Sequence, residues 1–122
     1  MDTMARILVL EDDPDLLHLY TRALTFRGYQ VDTANAAETA IGMIDEGTTS
    51  PDIAVLDMHM PGLPGSAVVE YLRGNSPYPD IPIIVISCDD DFRKLLQDYE
   101  VMFMSKPINL ADLYQAVELL AS

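Results

Sequence analysis

The sequence predicts an α/β fold: one doubly wound sheet of five parallel strands, with five helices on its two faces. Three observations carry this reading. Short apolar runs alternate with helical patterns five times along the 122 residues. Three of the runs, at 7–10, 53–56 and 81–86, are continuously apolar, as strands covered on both faces are. Helical connections between successive runs make neighbouring strands parallel.

The elements follow in order. RILVLE, 6–11, is the first strand. The helix after it, 13–28, starts at Asp13 as N-cap, carries Pro14 in its first turn and closes at Gly28. Leu16, Leu17, Tyr20 and Leu24 give it one apolar face. YQVDTA, 29–34, is the second strand, and 35–47 the second helix with Asn35 near its cap. DIAVLD, 52–57, is the third strand, and a loop through Met60-Pro61-Gly62 leads to a helix from Gly65. IPIIVIS, 81–87, is the most apolar run and is placed at the sheet centre. A short helix fits 90–100, VMFMSK at 101–106 is the fifth strand, and 109–120 is the last helix, capped by Asn109.

Apolar residues make up 49% and charged residues 22%, the composition of an ordinary globular chain, and one domain spanning 1–122 is expected. Seven basic against twenty acidic residues leave a net charge of −13. Such a field repels phosphate backbones and anionic lipid, so neither nucleic acid nor membrane is an expected partner of this segment. The single cysteine, Cys88, allows no internal disulfide and fits a reducing compartment. It is read as a small buried hydrophobe. The start, MDTMARILVL, has neither the basic opening of a leader nor the length of a spanning helix, so the cytoplasm is expected.

Ligands of open parallel sheets gather at the carboxyl ends of the strands. There the first strand ends in Glu11, Asp12 and Asp13, the third in Asp57, the fourth in Ser87 and the fifth in Lys106-Pro107. Clustered carboxylates repel one another unless a cation neutralises them, and oxygen-only ligands suit Mg²⁺. An Asp carboxylate can attack phosphorus and carry an acyl phosphate. The transferring oxygens then need positive charge and donors, which Mg²⁺, Lys106 and the Ser87 hydroxyl could supply. Asp13 fits the cap better than the metal, and Met58 and Met60 fit gap-filling better than chemistry.

VLEDDPDL, VLDMHMPGLPG, IIVIS and FMSKP, in this order over nearly the whole chain, resemble the receiver domain of two-component response regulators. The resemblance implies a flavodoxin-like sheet of order 2-1-3-4-5. It implies Asp57 as phosphoacceptor, and Asp12 as direct Mg²⁺ ligand beside Glu11, which holds a metal-bound water. It further implies the backbone carbonyl of His59 as a ligand, Ser87 as switch hydroxyl, Lys106 as the partner lysine before a cis proline, and Phe103 as switch aromatic. Gly65 matches the glycine that ends the loop after Met-Pro. The donor would be the phosphohistidine of a histidine kinase or phosphotransfer protein. The domain would catalyse only its own phosphorylation and dephosphorylation, and signal through the face of helix 4, strand 5 and helix 5. A downstream effector or an output domain of its own, and a homodimer formed on phosphorylation, are the further partners implied. No output domain is read within 109–122, which leaves a stand-alone regulator and a piece of a longer protein both open.

Two features depart from the pattern. Nineteen positions separate Ser87 from Lys106, a few fewer than usual, and QDYEVMFMSKP lacks the small Gly-Ala turn before the fifth strand. A receiver-like interaction domain working without phosphorylation is therefore the alternative. A haloacid-dehalogenase-like phosphatase needs a second Asp two residues after the nucleophile, where this chain has His59. A flavodoxin-like FMN protein needs a Ser/Thr/Gly-rich loop where this chain has EDDPDL.

Overall fold

The computed structural model describes residues 5–121, so the part of the leader argument that concerns residues 1–4 falls outside the described residues. Five strands alternate with five helices: β1 Arg6–Leu10, α1 Pro14–Phe26, β2 Gln30–Ala34, α2 Ala37–Asp45, β3 Ile53–Asp57, α3 Ser66–Gly74, β4 Ile83–Ser87, α4 Asp91–Leu95, β5 Met102–Ser105 and α5 Leu110–Ala121. The sheet order is β2-β1-β3-β4-β5, every neighbouring pair parallel. Order and fold class agree with the sequence reading, with one correction: β3, not β4, holds the centre. Both strands are buried at every residue, so apolarity alone could not rank them.

Strand periodicity builds two cores. Ile7, Val9, Ile53, Val55, Ile84 and Ile86 pack against α1 and α5 through Tyr20, Leu24, Leu113 and Val117. Leu8, Leu10, Ala54, Leu56, Ile83 and Val85 pack against α2, α3 and Leu96 after α4. Alternate residues of one strand thus face opposite layers. Among the described residues no helix is long and apolar enough to cross a membrane.

The helix ends follow local chemistry. Asp13 Oδ1 accepts from the Asp15 and Leu16 amides at 2.9 and 3.3 Å, and Asn109 Oδ1 from the Ala111 amide at 2.7 Å. Gly28 closes α1 at φ +95°, a conformation that costs other residues energy. The cap of α2 is Ala36, without a side-chain bond, and Asn35 stands one residue too early.

Within the short segment between Ser87 and Lys106, α4 is five residues long. Leu96 anchors its end, fully buried in the second core. Arg73 of α3 supports the same region, donating to the carbonyls of Pro79, Ile81 and Glu100 at 3.0, 2.7 and 2.8 Å. One guanidinium thereby ties the α3–β4 turn to the segment entering β5.

Candidate functional site at the carboxyl edge of the sheet

Register brings the predicted residues to one edge. Leu10 pairs with Leu56, Asp57 with Ile86, and Ser87 with Ser105, so β1, β3, β4 and β5 end at a common level. Glu11 and Asp12 follow β1, Asp57 ends β3, Ser87 ends β4 and Lys106 follows β5. Carboxylate oxygens of Glu11, Asp12 and Asp57 all lie within 4.8 Å of one another. Glu11 and Asp57 are each 1% exposed, while Asp12 is exposed.

The two buried carboxylates are held in place. Asp57 Oδ1 accepts the His59 amide at 3.1 Å, and Oδ2 accepts Lys106 Nζ at 3.0 Å. Glu11 Oε2 accepts the Asp13 amide at 3.1 Å. Glu11 Oε1 stands 3.7 Å from Lys106 Nζ and is buried without any hydrogen-bond partner. Burial, with Asp57 adding to it against the Asp13 amide and Lys106, pushes the Glu11 carboxyl up to about 7. Burial also works against the Lys106 ammonium, but its hydrogen bond to Asp57 and the charges of Asp57 and Glu11 raise its pKa above the usual lysine value. A buried acid with an unsatisfied oxygen beside two further carboxylates is a donor set that suits a hard divalent cation such as Mg²⁺.

The loop after β3 packs back onto the strand end. Gly65 donates its amide to the Met58 carbonyl at 3.4 Å. A Cβ there would collide with the Asp57 carbonyl oxygen and approach Met58 Cε to 2.8 Å. Only glycine permits this approach, which fixes Met58, fully buried, under the site. The Lys106–Pro107 bond is cis, and the Lys106 amide donates to the Ser87 carbonyl at 3.0 Å.

Ser87 is buried, and its Oγ contacts Asp89 and the exposed His59 rather than a carboxylate: Asp89 O at 3.1 Å, Asp89 N at 3.0 Å and His59 Nε2 at 3.2 Å. The half-buried Phe103 packs on the α2–α3 core with the Arg93 guanidinium 4.6 Å over its ring. Cys88 requires a correction, because it is exposed. It follows Ser87 at the opposite strand parity and lines a surface groove with Leu16, Leu19, Tyr20 and Pro107. Sequence reasoning missed the His59–Ser87 contact and the Arg73 clamp, for neither of which it held a local signal.

The response regulator receiver domain model matches residues 7–118. The chain belongs to this family. Other receiver proteins agree with the assignment. Over 111 residues, 88% of the chain, it is 34% identical to the response regulator MprA of Mycobacterium tuberculosis, and covers 46% of that protein. It spans less than half the length of the curated relatives it matches first. Chemotaxis protein CheY4 of Vibrio cholerae shares the fold, with a TM-score of 0.85 at 21% identity over 97% of this chain and 99% of that one. Response regulator protein TrrA of Thermotoga maritima, solved in complex with Mg(2+)-BeF, matches with a TM-score of 0.82 at 29% identity over 96% and 99%.

Proposed function

We propose that this receiver domain, taken as residues 1–122, accepts a phosphoryl group on Asp57 from the phosphohistidine of a histidine kinase or phosphotransfer protein. The observation that carries the reading is Asp57 set between Lys106 and Glu11, whose buried oxygen lacks a partner. Asp12, Asp57, Glu11 through a water, and the His59 carbonyl would hold Mg²⁺, as the Mg(2+)-BeF complex of the TrrA neighbour supports. Mg²⁺ bound there neutralises the acids and polarises the transferring oxygens.

In the step itself an Asp57 carboxylate oxygen attacks phosphorus in line, the O–P bond forms, and the P–N bond to the donor histidine breaks with its electron pair returning to the imidazole. Lys106 stands ready to pair with a phosphoryl oxygen, and Ser87 donates its hydroxyl to another. Hydrolysis of the acyl phosphate, with water attacking phosphorus, returns Asp57. The domain turns over no separate substrate. Phosphate adds charge and acceptors at the strand edge, drawing Ser87 in, letting Phe103 pack inward and shifting the population of the α4–β5–α5 face. That face, in the cytoplasm, would address an effector, an output domain or a second copy of the chain on phosphorylation.

The test is intact mass after incubation with acetyl phosphate and Mg²⁺. One phosphoryl adduct, lost without Mg²⁺ and absent in Asp57→Asn, is the expected result. A folded, Mg²⁺-binding sample that takes no adduct overturns the reading.

A further inference from the structure

We propose that His59 is a positioning residue that latches Ser87 in its resting place and ties that place to α4. The inference rests on Asp57 being the phosphoacceptor and adds a regulatory part to the same site.

A serine hydroxyl has one hydrogen to donate and two lone pairs to accept with. The resting arrangement offers a partner to each. The hydroxyl donates to the Asp89 carbonyl at 3.1 Å and Oγ accepts the Asp89 amide at 3.0 Å, so the 3.2 Å contact with His59 Nε2 is a hydrogen bond in the tautomer that carries its hydrogen on Nε2, the form the latch uses. The amide contact is a local turn that any serine here could form. The His59 contact comes from the other side of the site, 28 residues away in sequence. With its only hydrogen spent on Asp89, Ser87 has none for a phosphoryl oxygen. To donate one it must leave the Asp89 carbonyl and rotate off His59.

The same imidazole reaches α4. Its ring meets Phe92 edge-on, with centroids 5.2 Å apart and planes at 84°. Phe92 packs on the α2–α3 core, and its neighbour Arg93 lies over Phe103 of β5. One side chain therefore touches both the switch hydroxyl and the helix beside the switch aromatic. Its backbone amide is meanwhile fixed to Asp57. Drawing Ser87 away from its resting place takes one partner from the imidazole that also packs on Phe92 of α4.

By linkage, a group that binds only the switched arrangement binds more tightly when the resting one is weakened. The experiment is a ¹⁹F NMR titration with beryllofluoride at saturating Mg²⁺, on the whole chain. His59 is exposed, so its replacements should fold. His59→Ala is expected to bind about fivefold more tightly than wild type, the worth of one ordinary hydrogen bond, and His59→Gln, which keeps a donor, to bind between the two. In an Ser87→Ala background the His59→Ala gain should vanish, because the latched group is gone. Amide resonances of 91–95 in free His59→Ala should already lie toward their beryllofluoride-bound positions in wild type. Unchanged or weaker binding by His59→Ala, a gain that persists with Ser87→Ala, or unmoved 91–95 resonances overturns the latch and leaves the phosphoacceptor reading standing. Absence of wild-type binding, or equal binding by Asp57→Asn, overturns that reading and the latch with it.

Discussion

Lys106 Nζ meets Asp57 Oδ2 at 3.0 Å by reaching from the end of β5 across the end of β4 to β3. Nothing in the strand pairing itself joins these residues, so the long side chain alone spans the gap. Lys106→Ala should leave the fold in place and slow phosphoryl incorporation from acetyl phosphate by about 10²-fold, the scale for losing one preorganised charge donor. Lys106→Arg should restore little of the rate, since a planar fork does not replace a compact ammonium. Adduct mass against time measures both.

Glu11 gives the site a pH dependence. Its carboxyl is raised from 4.5 to about 7, so the folded chain holds a proton that the unfolded chain releases. The stability this contributes is fully present below 4.5 and is lost as pH rises through about 7. Metal-free protein should therefore melt lower at pH 8 than at pH 5.5, and Glu11→Gln should flatten that difference. Mg²⁺ competes for the same carboxylate. Its apparent affinity should fall below pH 7 by up to about tenfold per pH unit, read by calorimetric titration at several pH values.

Gly65→Ala forces a methyl group into the Asp57 carbonyl. Since a backbone oxygen cannot rotate away, the loop or the strand end must move. The expected loss is about 1–3 kcal/mol in urea unfolding, the usual range for overpacking. Slower phosphorylation than wild type should accompany it even under conditions where the variant is folded.

Arg73→Ala removes three charge-assisted bonds from one guanidinium. A loss of about 2–3 kcal/mol in denaturant unfolding is expected. Hydrogen exchange should quicken at the α3–β4 turn and before β5. Arg73→Lys should recover only part, because an ammonium cannot span the α3–β4 turn and the segment before β5 as the guanidinium fork does.

How much of this was readable in the chain depends on whether the cause is local. Asp13 and Asn109 cap their helices because the bonds they make run to amides two or three residues on. Five apolar runs with helical connections were enough for a parallel sheet, its order came with the family resemblance, and the gathering of Glu11, Asp12, Asp57, Ser87 and Lys106 followed from strand ends alone. Cys88 was misread because burial changes within one residue where β4 ends, and a small apolar side chain gives no warning of it. The central position of β3 could not be separated from that of β4 by composition. Arg73 and the His59–Ser87 bond join residues far apart in sequence, and nothing in the spacing announces such meetings.

The Lys106 amide donates to the Ser87 carbonyl, so the eighteen residues between them form a loop pinned shut at its neck. Chain added to or lost from the far side of that loop, beyond Leu96, changes its circumference and not the position of its neck. The two chemical groups at the neck are thus insulated from drift in the length of the segment between them. A lineage could remodel the outward surface here, and with it the company the protein keeps, while inheriting the same chemistry unaltered.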